Sequence, residues 1–231
     1  MNNQTQLIRL NKFLAERLGV SRREADEIIT AGEVTVNGKV AGLGVKIDKK
    51  DKVCYNNKTI PFTTEFTYLA FHKPVGYVCS RRAQGSAPTL YELLPKTYHN
   101  LKTVGCLDKD SSGLILLTND GDFAFRMTHP KFRKIKLYEV ELDEPLAPLH
   151  QQMISDYGVA LEDGVSQFKV LTTPGDSTHK ECTVILTEGR NRQIRRTFAA
   201  LGYTVVKLHR TQFGPYELGN LKPGKYVIIK P

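Results

Sequence analysis

Two hydrophobic periods take turns along the chain, and the switches between them mark its elements. Leu10, Phe13, Leu14 and Leu18 recur at helical spacing until Gly19 breaks the run. Ser21 with Glu24 three residues on has the form of a capping box; Ala25, Ile28 and Ile29 then make the apolar face of a second helix, which Gly32 ends. The period then shortens to two. Residues 34–36 read as a strand, Asn37-Gly38 as a tight turn, and further strands are expected near 45–47 and 52–55. Residues 56–67 are polar, contain Pro61 and keep no period, so a linker is expected there.

Strand-like runs dominate the rest of the chain. Residues 68–71, 77–79, 114–117, 138–142, 183–186 and 203–208 are the expected strands. The run 114–117 is apolar at every position, which predicts burial on both faces. Residues 81–86 have loop composition, Thr89 can cap a short helical run over 90–94, and 193–201 reads as a helix with Ile194, Phe198 and Leu201 on one face. A small helical and hairpin unit followed by a larger, strand-rich one is an α+β fold.

Composition narrows the class. The chain has 231 residues, enough for one or two domains at roughly 150 each, and long enough to bury a core without disulfides or metal. No apolar run approaches the roughly 20 residues of a membrane helix, and the first residues, MNNQTQLIRLNKF, contain no secretory core. Cys54, Cys79, Cys106 and Cys182 are scattered and look like reduced thiols. A cytoplasmic protein with no membrane partner is therefore expected.

The net charge of +9 is unevenly spread: residues 1–66 carry +3, 67–185 carry −1 and 186–231 carry +7. A clustered basic face points to a polyanion. Arg22 and Arg23 fall in the first turn of the second helix, against its dipole, with Lys12 near the same edge. Arg190, Arg192, Arg195 and Arg196 crowd a turn and helix start, where an anionic partner would relieve their repulsion. Lys131, Arg133, Lys134 and Lys136 form a candidate phosphate track. Asp108 sits on a loop beside the buried run 114–117, where a rigid strand can hold a carboxylate toward a cleft. The run Asp108-Lys109-Asp110-Ser111-Ser112 also fits the opening motif of a magnesium-dependent phosphatase, but no matching acidic motif comes after it. The six histidines are dispersed, and the chain has neither a glycine-rich phosphate loop nor a ligand cluster, so no metal or organic cofactor is expected.

Three segments carry a family resemblance. RLNKFLAERLGVSRREADEIITAGEVTVNGKV resembles the small RNA-binding module named after ribosomal protein S-four. GCLDKDSSGLILLTNDGDF resembles the catalytic motif of ribosomal RNA pseudouridine synthases of the RsuA type, and EGRNRQIRR resembles a further motif of that family. KLHRTQFGPYELGNLKPGKY also matches its ending, so the resemblance spans nearly the whole chain. It implies a mixed, mainly antiparallel sheet with flanking helices in the catalytic domain. The implied division is a flexible N-terminus over 1–6, an RNA-binding module over 7–55, a linker over 56–67 and a catalytic domain over 68–231.

The resemblance also implies roles. Asp108 takes the place of the catalytic aspartate, Tyr138 of a tyrosine that stacks on the target base, and Arg195 of an arginine that pairs with the aspartate and favours its ionised form. Ile194 and Leu107 are assigned to apolar contact with the base. Lys12, Arg22, Arg23, Lys136, Arg190, Arg192 and Arg196 are assigned to RNA. One position departs from the family: its arginine two residues before the aspartate is Cys106 here. The expected activity is conversion of a specific uridine in ribosomal RNA to pseudouridine, with ribosomal RNA or an assembling subunit as partner and a monomeric enzyme. The alternative is a catalytically impaired RNA-binding assembly protein.

Overall fold

The computed structural model describes residues 7–63, 65–81 and 85–231. The expected flexible N-terminus over 1–6 and residues 82–84 of the expected loop over 81–86 lie outside the described residues. The chain divides into two compact units: one takes in the residues up to Thr67 with Asn119–Gly121, the other Tyr68–Thr118 and Asp122–Pro231.

The first unit contains β1 (Ile8–Arg9), α1 (Leu10–Leu18), α2 (Arg22–Thr30), β2 (Val34–Val36), β3 (Lys39–Val40), β4 (Lys46–Ile47), β5 (Val53–Tyr55) and β6 (Lys58–Thr59). The capping box forms as its residue pattern predicts. The backbone N–H of Ser21 donates to Glu24 Oε2 at 2.6 Å, and that of Glu24 to Ser21 Oγ at 3.1 Å. Asn37 and Gly38 both take positive φ, 52° and 80°, the geometry of a two-residue hairpin whose twist matches its strands. Phe13, Leu14, Ala25, Ile29, Val34, Ile47 and Val53 form the core. The expected linker is partly built into this unit. Lys58–Thr59 pairs with β5, Ile60 is buried, and the Phe62 ring lies 4.5 Å from that of Phe13. Two isolated apolar residues in a polar stretch give no periodic signal, which is why the pattern hid them.

The second unit is a nine-stranded sheet in the order β13-β14-β10-β15-β9-β7-β17, with β8 on β9 and β16 on β15. Its elements are β7 (Tyr68–Lys73), β8 (Lys102–Val104), β9 (Ser112–Thr118), α3 (Gly121–Thr128), β10 (Lys136–Leu142), α4 (Pro148–Gln152), β11 (Val159–Leu161), β12 (Gly164–Ser166), β13 (Lys169–Thr172), β14 (Glu181–Leu186), α5 (Gln193–Ala199), β15 (Val205–Phe213), β16 (Tyr216–Glu217) and β17 (Tyr226–Ile228). β11 and β12 form a separate hairpin. The sheet is mixed: β15 runs parallel to β9, and the other ladders are antiparallel.

Both sheet faces are covered. Leu69, Phe71, Ile115 and Leu117 join one cluster with Ile194 and Phe198 of α5, while Ala70, Leu114 and Leu116 join another with Phe123 and Met127 of α3. That is the reason 114–117 is apolar throughout. Two expectations shift. Residues 77–79 form no strand; Val78 instead bridges to Thr89, whose backbone N–H donates to Glu92 Oε1 at 2.7 Å at the start of the 3₁₀ turn Leu90–Leu93. β15 begins later and runs further than the expected 203–208. Its contact with β9 requires a glycine: a Cβ on Gly113, at φ 110°, would sit 2.2 Å from the Arg210 carbonyl oxygen.

Candidate active site

Asp108 lies on the loop between β8 and β9, and buried groups pin that loop from two sides. The Ser111 N–H donates to the Asp108 carbonyl at 3.1 Å. Lys73, fully buried at the end of β7, points its ammonium at the carbonyls of Ser111 (2.6 Å), Pro74 (3.0 Å) and Lys109 (3.5 Å). Burial pulls this lysine down to about 8, which leaves it a cationic donor at neutral pH. The Gly76 N–H donates to the Lys109 carbonyl at 2.8 Å, and the Cys79 thiol holds the backbone of Leu107 at 3.3 Å. In the sequence Lys73-Pro74 reads only as a bend. A lysine beside a proline carries no sign of burial, so this support was not legible.

Asp108 borders a pocket of about 220 Å³. That is smaller than the roughly 300–1,000 Å³ of a drug-sized site. Its apolar wall includes Leu107, Leu186, Ile194 and Leu208, with Tyr138 and Lys136 from β10 and Phe213 from β15. Tyr138 is 7 % exposed, and Lys136 lies on the same strand face, as their spacing of two predicts. Lys136 therefore parts from the exposed Lys131 and Arg133 of the expected track. Its ammonium donates to the Glu188 carbonyl at 3.0 Å, and burial, with the charge of Arg210, lowers it to about 8.

The four arginines around the start of α5 divide into two pairs. Arg192 and Arg195 reach the aspartates. Arg192 Nη1 stands 3.6 Å from Asp108 Oδ2 and 3.6 Å from Asp110 Oδ2, and Arg195 Nε stands 3.9 Å from Asp108 Oδ2. Two carbonyls orient Arg195, that of Val205 at 2.7 Å and that of Asp110 at 2.9 Å. Arg192 adopts a left-handed φ of 46°, a costly conformation for a non-glycine residue and one that concentrates at functional sites.

Arg190, which also lines the pocket, and Arg196 spend their forks on the β11–β12 hairpin. Arg196 forks onto Asp163 at 3.0 and 2.8 Å, holding that carboxyl below its usual range. Arg190 spends its fork on Asp163, on Glu188 and on the carbonyls of Gly164 and Val165. The anionic partner expected for this arginine cluster is, for these two, a carboxylate of the chain itself. It lies 27 and 33 residues upstream, a distance that local spacing cannot reveal. In the first unit, Arg22 and Arg23 are exposed on the first turn of α2, and Lys12 approaches Glu16 at 3.9 Å.

Two further residues belong to the pocket. Arg210, on β15 directly opposite Tyr138, is 2 % exposed and absent from the expected site. A β-bulge in β15 skips Thr211, so Arg210 and Phe213 both line the pocket despite their odd spacing. Cys106 lines the pocket as a solvent-accessible thiol. A hydrogen bond from Cys79 and the charge of Arg210 draw it down to about 6, against partial burial.

The RNA pseudouridylate synthase model matches residues 67–200, and the S4 domain model matches residues 8–53. The chain belongs to the RNA pseudouridylate synthase family. Ribosomal small subunit pseudouridine synthase A of Pasteurella multocida is 37% identical over 222 residues, covering 95% of this chain and 94% of the relative. Ribosomal large subunit pseudouridine synthase B of Bacillus subtilis is 33% identical over 227 residues, covering 96% and 92%. A crystal structure of a pseudouridylate synthase superposes with a TM-score of 0.68 at 31% identity, covering 96% of each chain. The chain is thus a pseudouridine synthase that pairs a catalytic fold with an S4 domain.

Proposed function

We propose that this pseudouridine synthase acts on a uridine of ribosomal RNA, and that Asp108 is its catalytic carboxylate. The observation that carries the reading is a carboxylate on a pinned loop at the edge of a small apolar pocket, with two arginines within 4 Å. The relatives named above act on RNA of both ribosomal subunits, so ribosomal RNA is the shared substrate class and the subunit is left to experiment.

The reaction is an isomerisation. The bond from C1′ to N1 breaks, the base turns, and C1′ bonds to C5; C5 gives up its proton and N1 gains one. A stacked uridine must first leave its helix, at a cost of a few kcal/mol. Stacking on Tyr138 returns roughly 1–3 kcal/mol, by analogy with single-strand binders. Leu107 and Ile194 pack the ring edges. Asp108 serves as nucleophile or proton acceptor on the sugar–base unit. Arg195 and Arg192 face its charge and orient it, and Arg192, half-exposed, also meets phosphate. Lys12, Arg22 and Arg23 supply backbone contacts from the S4 domain. Nothing in the site favours the impaired-protein alternative.

The test is tritium release from each subunit's ribosomal RNA labelled at uridine C5. Wild type should release tritium from one of them and Asp108→Ala from neither. Release by Asp108→Ala at the wild-type rate would remove the aspartate from the mechanism. No release by wild type from either RNA would overturn the substrate class.

A further inference from the structure

Arg210 is the largest fully buried side chain among the described residues, yet its bonding is incomplete. Nε donates to the Leu114 carbonyl at 2.7 Å, and Nη1 makes a long contact of 3.4 Å to the Tyr138 hydroxyl. Nη2 is buried with no partner. Among the described residues no carboxylate pairs with this guanidinium. Instead it lies over the Phe213 ring, 4.8 Å from its centre, and Lys136 approaches the same ring at 5.3 Å. Two cations thus share the inner wall of one small pocket. A buried cation without a counter-ion is costly, and an open buried donor adds the loss of a hydrogen bond. Arg190 and Arg196 show that this fold supplies arginines with carboxylates where their role is structural.

We infer that Arg210 is a further catalytic residue, whose open N–H donates to a carbonyl oxygen of the flipped uracil and stabilises the negative charge that gathers there during the reaction. The inference rests on the proposed function. Either form of the chemistry needs such a donor. If the C1′–N1 bond breaks first, its electron pair passes into the ring and onto a carbonyl oxygen. If a carboxylate adds to the ring first, the displaced pair reaches the same kind of oxygen. No proton moves from Arg210; it donates a hydrogen bond throughout, which suits a group that stays charged in proteins. The wall is preorganised, because Leu114, Tyr138 and Phe213 hold the guanidinium before substrate arrives. Donors of this kind act on charge that develops in the transition state, and removing one typically costs about 10²–10³ in rate.

The experiment compares wild type, Arg210→Gln and Arg210→Lys in single-turnover tritium release from subunit ribosomal RNA transcripts. Matched transcripts carry 2-thio- or 4-thiouridine in place of uridine, because sulfur is the poorer acceptor. Arg210→Gln should lose at least about 10²-fold in rate with RNA affinity changed less than threefold. One of the two thio substitutions should slow wild type about tenfold and leave Arg210→Gln unaffected, which would also name the oxygen. If Arg210→Gln does not fold, Arg210→Lys carries the test and should keep affinity while losing at least tenfold in rate. A rate within threefold of wild type, or equal slowing of wild type and variant by both thio substitutions, overturns the inference while leaving the proposed function standing. Absence of release by wild type overturns both.

Discussion

The arginines of the second unit answer two different demands. Arg190 and Arg196 are paired within the chain: their forks close on Asp163 and on hairpin carbonyls, and only Nε of Arg190 is left without a partner. Arg192 and Arg210, which line the pocket, and Arg195, beside Asp108, are held in place yet left short of partners. Arg195 Nε and Arg210 Nη2 are buried without a hydrogen bond, and the approaches to Asp108 are 3.6 and 3.9 Å rather than hydrogen-bonding contacts. Folding alone would reward closing these gaps, since each buried, unpaired donor costs about 1–3 kcal/mol. A set left open beside a carboxylate is shaped for something that arrives later. Residue type does not separate the two groups of arginines in this unit; the partners on which their forks close do.

Asp108→Asn keeps the shape and removes the charge, so single-turnover rate should fall by about 10⁴-fold or more, with RNA affinity within threefold. A loss confined to affinity would show that the open arginines serve binding alone. A matched pair of variants sharpens the contrast: Arg195→Ala should lose about 10²-fold in rate, Arg196→Ala less than tenfold. Equal losses would erase the distinction between open and paired arginines.

Smaller effects are expected outside the pocket. Replacing Arg22 and Arg23 together with Ala should weaken RNA binding about tenfold and reduce the salt slope by roughly two, without changing the single-turnover rate at saturating enzyme. Cys106 offers a probe of the pocket's field. Its iodoacetamide reaction should rise with pH about a midpoint near 6 and then level off, while the buried Cys182, pushed up to about 12, stays unreactive at neutral pH. The sign comes from the thiolate: a thiol pulled down by its Cys79 hydrogen bond and by the charge of Arg210 is already ionised at pH 7, so Arg210→Gln should move the midpoint upward. An unmoved midpoint in that variant would mean that Arg210 contributes little to the charge in the pocket. The smallest change is expected for Asp163→Ala, read by thermal melting and tritium release together. It should lower the melting midpoint by a few degrees and leave the rate nearly intact, because it unties only Arg190 and Arg196.

Much of the local structure could be read before any fold was known. Ser21 and Glu24 cap α2 because a hydroxyl and a carboxylate three residues apart answer two orphan N–H groups, a geometry internal to four residues. Asn37-Gly38 turns for an equally local reason. The run 114–117 announced a strand covered on both faces. Asp108, Tyr138, Ile194 and Leu107 were named from motif resemblance, and the fold brings them to one pocket. Lys73 and Arg210 escaped notice because a basic side chain in one sequence looks the same on a surface and in a core. Arg210 left one faint sign, its period-two spacing from Leu208 on a strand, but the bulge at Thr211 breaks that pattern before it can be extended to Phe213.

The division has a physical basis. Caps, tight turns and hydrophobic period depend on neighbours within about four residues, so the amino-acid sequence alone determined the helices and hairpin of the first unit and most strands of the second. The pairing of charges was decided only in three dimensions. Asp163 claims Arg196 across 33 residues, Leu114 holds Arg210 across 96, and Lys73 steadies the Asp108 loop from a strand 38 residues away. A charge takes its partner from whatever the sheet places beside it, and the order of strands in that sheet is a property of the whole chain.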